Sequence, residues 1–232
     1  MRTKSWAVGL AFLLVVVGSA EGGEARTVYS SMVPLGQYLL TNPSDEIALA
    51  RSAAPASISG DADVLTLGVH GYEKATGGKN GFVCLVERSW AADFGDAEFW
   101  NPKIRAPMCL NPAAVRTVLP GYLERTQWVL AGISKSDMIA RTAAAIAANR
   151  FLIPENGAMS YMMSTRGYLS DDAGHWHPHL MFFLAHTDGA AWGANLDGSP
   201  IFAAQSDPEP VTTFFVSVTK WSDGTPAMVE TR

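Results

Sequence analysis

A single block of helix-forming sequence, residues 111–149, stands between two stretches that read as strands, and this order constrains the fold most. Asn111-Pro112 is a helix start, with Asn as N-cap and Pro in the first turn, where an N–H is dispensable. The helix must break or bend at Pro120-Gly121, resume over YLERTQWVLAG (122–132) and stop at Gly132. Ser134, with Asp137 three residues on, opens a second helix to about Asn149. Its Met138, Ile139, Thr142, Ala145 and Ile146 recur at helical spacing and predict the buried face. Before this block, ADVLTLGVH (62–70) and GFVCLVERSW (81–90) read as the strands of a hairpin with a loose, glycine-rich loop. Residues 94–112 read as a long prolyl loop. After the block come AMSYMMS (158–164), HLMFFLAH (179–186), SPIFAAQ (199–205) and TTFFVSVTKW (212–221). Strands and helices do not alternate, which excludes a doubly wound fold. The expectation is an α+β domain with a mostly antiparallel sheet and two central helices on one side.

The ends of the chain bear on compartment. Arg2 and Lys4, the apolar run AVGLAFLLVVV (7–17) and the small residues Gly18, Ser19 and Ala20 read as a signal peptide cleaved near Ala20. That run is shorter than the roughly 20 residues a membrane-spanning helix needs, so no span is expected in the mature chain. Residues 21–61 are rich in Ala, Ser, Gly and Pro and read as a lead-in, with IALARSAAP (47–55) as a short helix. Residues 62–232 then form a single α+β domain. A secreted or periplasmic chain with two cysteines predicts a Cys84–Cys109 disulfide, two buried thiols being the alternative. The formal charge of −5, with no basic stripe, argues against a nucleic-acid partner. A hydrophobic content of 48% and seven tryptophans fit a packed core.

Four of the five histidines fall between residues 175 and 186. On an extended strand His175, His177 and His179 would share a face with Met181 and Phe183, leaving Trp176, Leu180 and Phe182 opposite. Imidazoles at alternate positions suit a divalent metal ion, zinc first, with Cu(I) a lesser option given the methionines nearby. Pro178 complicates the register, because proline belongs at a strand's start or edge; the regular strand then begins at His179 and HWHP is its approach. The alternative is a network of hydrogen-bonded rings packed among aromatics. Glu87, at the end of a predicted strand, and Asp172, just upstream of the histidines, are the candidate catalytic carboxylates. Against these stand a charge paired with Arg88 or solvated, and ordinary turn chemistry. Trp176, Tyr161 and Trp192 are candidate ligand-binding aromatics.

His175-Trp176-His177 resembles the His-x-His of cupins, but the glutamate that motif expects a few residues on is replaced by an apolar run, and nothing is carried over. Through NGFVCLVERSW, FWNPKIRAPMCLNP, GAMSYMMS and GHWHPHLMFF the chain resembles an uncharacterised group of secreted bacterial proteins over roughly residues 62–221. That resemblance implies export and brings no activity with it. Three readings stay open: a metal-dependent hydrolase or oxidoreductase, a non-catalytic module for a small molecule or a metal, and a structural domain whose histidines only pack.

Overall fold

The computed structural model describes residues 29–171, 177–205 and 207–227. Among these residues, β1 (Asp63–Gly68), β2 (Gly71–Thr76), β3 (Val83–Glu87), β4 (Ala106–Leu110), β5 (Met159–Met162), β6 (His179–Ala185), β7 (Ile201–Gln205) and β8 (Val211–Ser217) form one sheet. The order is β2-β1-β3-β4-β5-β6-β8-β7. Neighbours are antiparallel except β1 and β3, which run parallel. The helices are α1 (Pro43–Arg51), α2 (Ala56–Ser59), α3 (Pro112–Thr117), α4 (Leu119–Leu130) and α5 (Lys135–Ala147). The fold is α+β around a mixed, mostly antiparallel sheet.

In place of a hairpin between 62–70 and 81–90, β1 turns back through Val69-His70 onto β2, with Gly71 at φ +110°. GYEKAT hides its strand because it lies at the sheet edge, where Glu73 and Lys74 stay exposed. β4 also lies within a segment expected as loop. Its five residues are all buried, with Pro107 among them. β4 pairs with β5 only at Cys109 and Leu110, so Pro107 lies beyond that ladder. At the far edge, Asn195 takes a left-handed conformation (φ +61°) and lays its side-chain amide along β7. Its Nδ2 donates to the Ala203 carbonyl and its Oδ1 accepts from the Ala203 N–H, both at 3.0 Å.

The helix caps follow the sequence. Asn111 Oδ1 accepts from the Ala114 N–H at 3.0 Å, and Ser134 Oγ from the Asp137 N–H at 3.1 Å. The break between α3 and α4 falls at Val118, two residues before the expected one. Pro120 then occupies the first turn of the new helix, where it forfeits no hydrogen bond. On α5 the buried residues are Met138, Thr142 and Ala145; Ile139, expected among them, is exposed.

Alternation along the strands divides the sheet into two faces. Leu85, Met108, Met162, Met181 and Phe183 pack with Ala114 and Leu119 of the α3–α4 segment. On the other face Cys84, Val86 and Cys109 pack against Leu49, Ala50 and Ala53, so the helix within residues 21–61 covers the sheet. Cys84 and Cys109 are directly opposed across β3 and β4 and are joined in a disulfide. Closing a loop of that span stabilises by about 3–4 kcal/mol in the chain-entropy model.

The same face is locked to α1 by a buried ion pair. Arg88, 1% exposed, donates from Nη2 to Glu46 Oε1 at 2.9 Å and from Nε to the Tyr38 carbonyl at 2.7 Å. Glu46 Oε1 also accepts the Leu67 N–H at 3.1 Å, so one carboxylate ties together α1, β1 and the end of β3. Truncation by Glu46→Ala strands the guanidinium in the interior and is expected to cost about 3–5 kcal/mol. Denaturant unfolding measures this; a loss below about 1 kcal/mol would mean the pair is not structural.

Candidate functional site

Glu87 continues the Val83-Leu85 face of β3, so its side chain follows an apolar row into the space between the sheet and α3–α5. A cavity of about 390 Å³ opens there. Its floor is sheet, with Ala106, Met162, Met181 and Phe215, and its cover includes Tyr122 of α4 and Phe151 after α5. The walls are predominantly hydrocarbon and aromatic, as in sites for small apolar molecules.

Within this lining Glu87 is anomalous. It is 7% exposed, and among the described residues its Oε1 has no hydrogen-bond partner. Burial pushes its carboxyl up to about 8, against the weaker opposing pull of Arg125. Two guanidinium groups lie nearby and both are committed elsewhere. Arg88, of opposite parity, belongs to Glu46. Arg125 donates to the carbonyls of Trp90 and Ala92 at 3.2 and 2.9 Å, pairs with Glu209, and stacks over the Phe94 ring at 4.3 Å. Ser89, two residues on, also lines the cavity, and its buried Oγ lacks a partner among the described residues.

His179 lines the cavity from β6. Its Nδ1 lies 2.8 Å from the His177 carbonyl, which can only accept, so Nδ1 carries the proton and Nε2 the lone pair of the neutral ring. Burial lowers its proton affinity, and Phe215 packs on the ring at 5.6 Å between centroids. β3 and β6 are three strand spacings apart, about 14 Å. Glu87 and His179 therefore face the cavity from opposite sides.

The other candidates that fall among the described residues are not gathered at the cavity. β6 begins at His179, as Pro178 suggested, and Met181 and Phe183 share its face while Leu180 and Phe182 alternate away. His177 is exposed in the approach, and His70 and His186 are exposed as well. His175, Trp176 and Asp172 lie outside the described residues. Among the described residues no group of three or more His, Cys, Asp or Glu side chains could hold a metal ion. Asp171, the other aspartate of the pair, is bound by Tyr168, Tyr29, Lys103 and Asn101, which hold its carboxyl well below the usual range. Tyr161 and Trp192 are not brought to the cavity. Tyr161 packs with Phe82 on the α1 face, and Trp192 stacks over Phe214, also on the side away from the cavity.

Ser89, Tyr122 and Glu209 of the cavity escape sequence reasoning, since they come from three separated segments. Glu87 was within reach: parity places it on the wholly apolar side of β3, where a solvated charge is the less consistent reading.

A carboxyl whose proton is held more tightly in the fold than in the open chain destabilises the fold as pH rises. The cost is absent below about pH 4, grows as the unfolded chain ionises and is complete above about pH 8, reaching on the order of 4 kcal/mol. Glu87→Gln is therefore expected to match the native chain in acid and to exceed it by several kcal/mol at pH 8. Unfolding free energies across this range test it, and a pH-independent difference would show Glu87 to be ionised in the fold.

No protein-family model, curated protein or solved structure matches this chain.

Proposed function

We propose that this chain is an exported protein that binds a largely apolar small molecule bearing a polar group in the cavity between its sheet and α3–α5. The observation that carries the reading is the pair of buried polar atoms, Glu87 Oε1 and Ser89 Oγ, left without partners among the described residues at the wall of an otherwise apolar space. Native proteins seldom leave such groups unsatisfied unless something else completes them. Export accords with the leader-like residues 1–20 and with the Cys84–Cys109 bridge. No helix among the described residues is long and apolar enough to cross a membrane.

N-phenyl-1-naphthylamine, a neutral apolar dye that brightens on leaving water, tests the site. One saturable site per chain is expected. Thr213→Trp, which fills the cavity from β8, should weaken uptake at least tenfold while leaving the circular dichroism unchanged. Absence of saturable uptake, or uptake indifferent to Thr213→Trp in a folded variant, sinks the reading.

A second reading keeps one observation behind it. The hydrogen bond from His179 Nδ1 to the His177 carbonyl orients the ring, as a backbone carbonyl does for a metal-ligating histidine. On this reading His175, His177 and His179 would hold a divalent ion, zinc first, which would supply an activated water to a hydrolase or oxidoreductase, with Asp172 as the candidate carboxylate. Elemental analysis of the purified protein is expected to give one metal per chain, lost in His177→Ala. Substoichiometric metal in the native protein removes this reading and leaves the cavity reading intact.

A further inference from the structure

Resting on the cavity reading, we propose that the ligand is an amphipathic amine, its ammonium seated at Glu87 and Ser89 and its apolar body laid along the sheet towards His179. Three features of the site argue for a cation over a neutral or anionic head. The lining carries the carboxyl groups of Glu87, Asp93, Asp96, Glu98 and Glu209, whereas the neighbouring cations, Arg88 and Arg125, are already bound to Glu46 and Glu209. An anionic head would meet a surplus of acid in this lining, where the guanidinium groups at hand are already paired. Glu87 and Ser89 offer two oxygens without partners among the described residues, matching an ammonium, which has donors only. The aromatic rings of Tyr122, Phe183 and Phe215 line the same space, and a cation is attracted to their faces.

The way in suits the tail. Leu152 and Leu169, 50% and 39% exposed, stand at the lining of the cavity where water reaches it. Apolar side chains left in solvent at the entrance offer a hydrocarbon chain a continuous path inward.

Binding of this kind moves one proton. The groups facing Glu87 are Arg125 and Tyr122 from α4, Arg88 next in the chain, Glu209 ahead of β8 and Tyr72 from β2. Burial keeps both tyrosines neutral and both arginines are paired, so Glu87 is the group that changes state. When the ammonium arrives, the Glu87 carboxylic acid gives its proton to solvent and the carboxylate pairs with the ammonium.

Isothermal titration of the full chain with octylamine, octanol and octanoate at pH 7, in two buffers of different ionisation enthalpy, tests the proposal. Octylamine is expected to bind at one site at least tenfold more tightly than octanol, with octanoate weakest and with about one proton released per amine, as linkage requires. Glu87→Gln should bring the amine down to the affinity of the alcohol. Octanol binding as well as octylamine, or a Glu87→Gln variant that keeps the full preference, overturns the amine while the cavity reading stands. If none of the three binds, the cavity reading fails and the amine with it.

Discussion

The structure turns on the fate of Arg88. A guanidinium with 1% exposure is tolerable only if charge and hydrogen bonds surround it, and Glu46 with the Tyr38 carbonyl supplies them. Through Glu46 the same arrangement holds α1 against β1 and β3, which covers the disulfide face of the sheet. The constraint has a second effect by parity alone. Residue 88 points towards α1, so residue 87 must point the other way. A strand ending Glu-Arg delivers its cation to one core and its acid to the other. Among the described residues Glu87 Oε1 lacks a partner, because its sequence neighbour faces the other core.

The cavity follows from how the helical block returns to the sheet. The α3–α5 segment leaves after β4 and comes back at β5, an adjacent strand, so it must arch over the sheet face it has just left. Short residues in the floor, Ala106 and Thr213, and the long Met162 and Met181 beside them leave space that aromatic side chains border without filling. Core space of this kind costs stability when it stays empty, since its lining loses contact on one side. Arg125, clamped by backbone carbonyls, Glu209 and Phe94, keeps the acidic end of this space short of a free counter-charge.

Much of the architecture could be read from residue pattern. The caps at Asn111 and Ser134, the strand start at His179 after Pro178, the later strands and the cysteine pairing all rest on local chemistry, and all are found. β2 and β4 could not be read, for opposite reasons. One is polar because it is an edge; the other carries Pro107 within it and is buried on both faces. The parallel β1–β3 pair depends on β2 lying outside β1, a tertiary choice that no local pattern encodes. For the site, parity could nominate Glu87 and the His179-Met181-Phe183 row. It could not reveal that the space they share is completed by Tyr122 and Ser89, which meet them only after the chain has arched back. Of the histidine row only His177 and His179 lie among the described residues: β6 begins at His179, as Pro178 implied, with His177 exposed in its approach and His179 at the cavity.

The side-chain amide of Asn195 lies along β7 where another strand would otherwise add. A foreign segment seeking to extend the sheet there must first evict a residue that already satisfies both backbone groups of Ala203. At the opposite boundary it meets the charges of Glu73 and Lys74. Both boundaries of the sheet are thus guarded against strand-by-strand extension, one by a hydrogen-bonded plug and the other by charge.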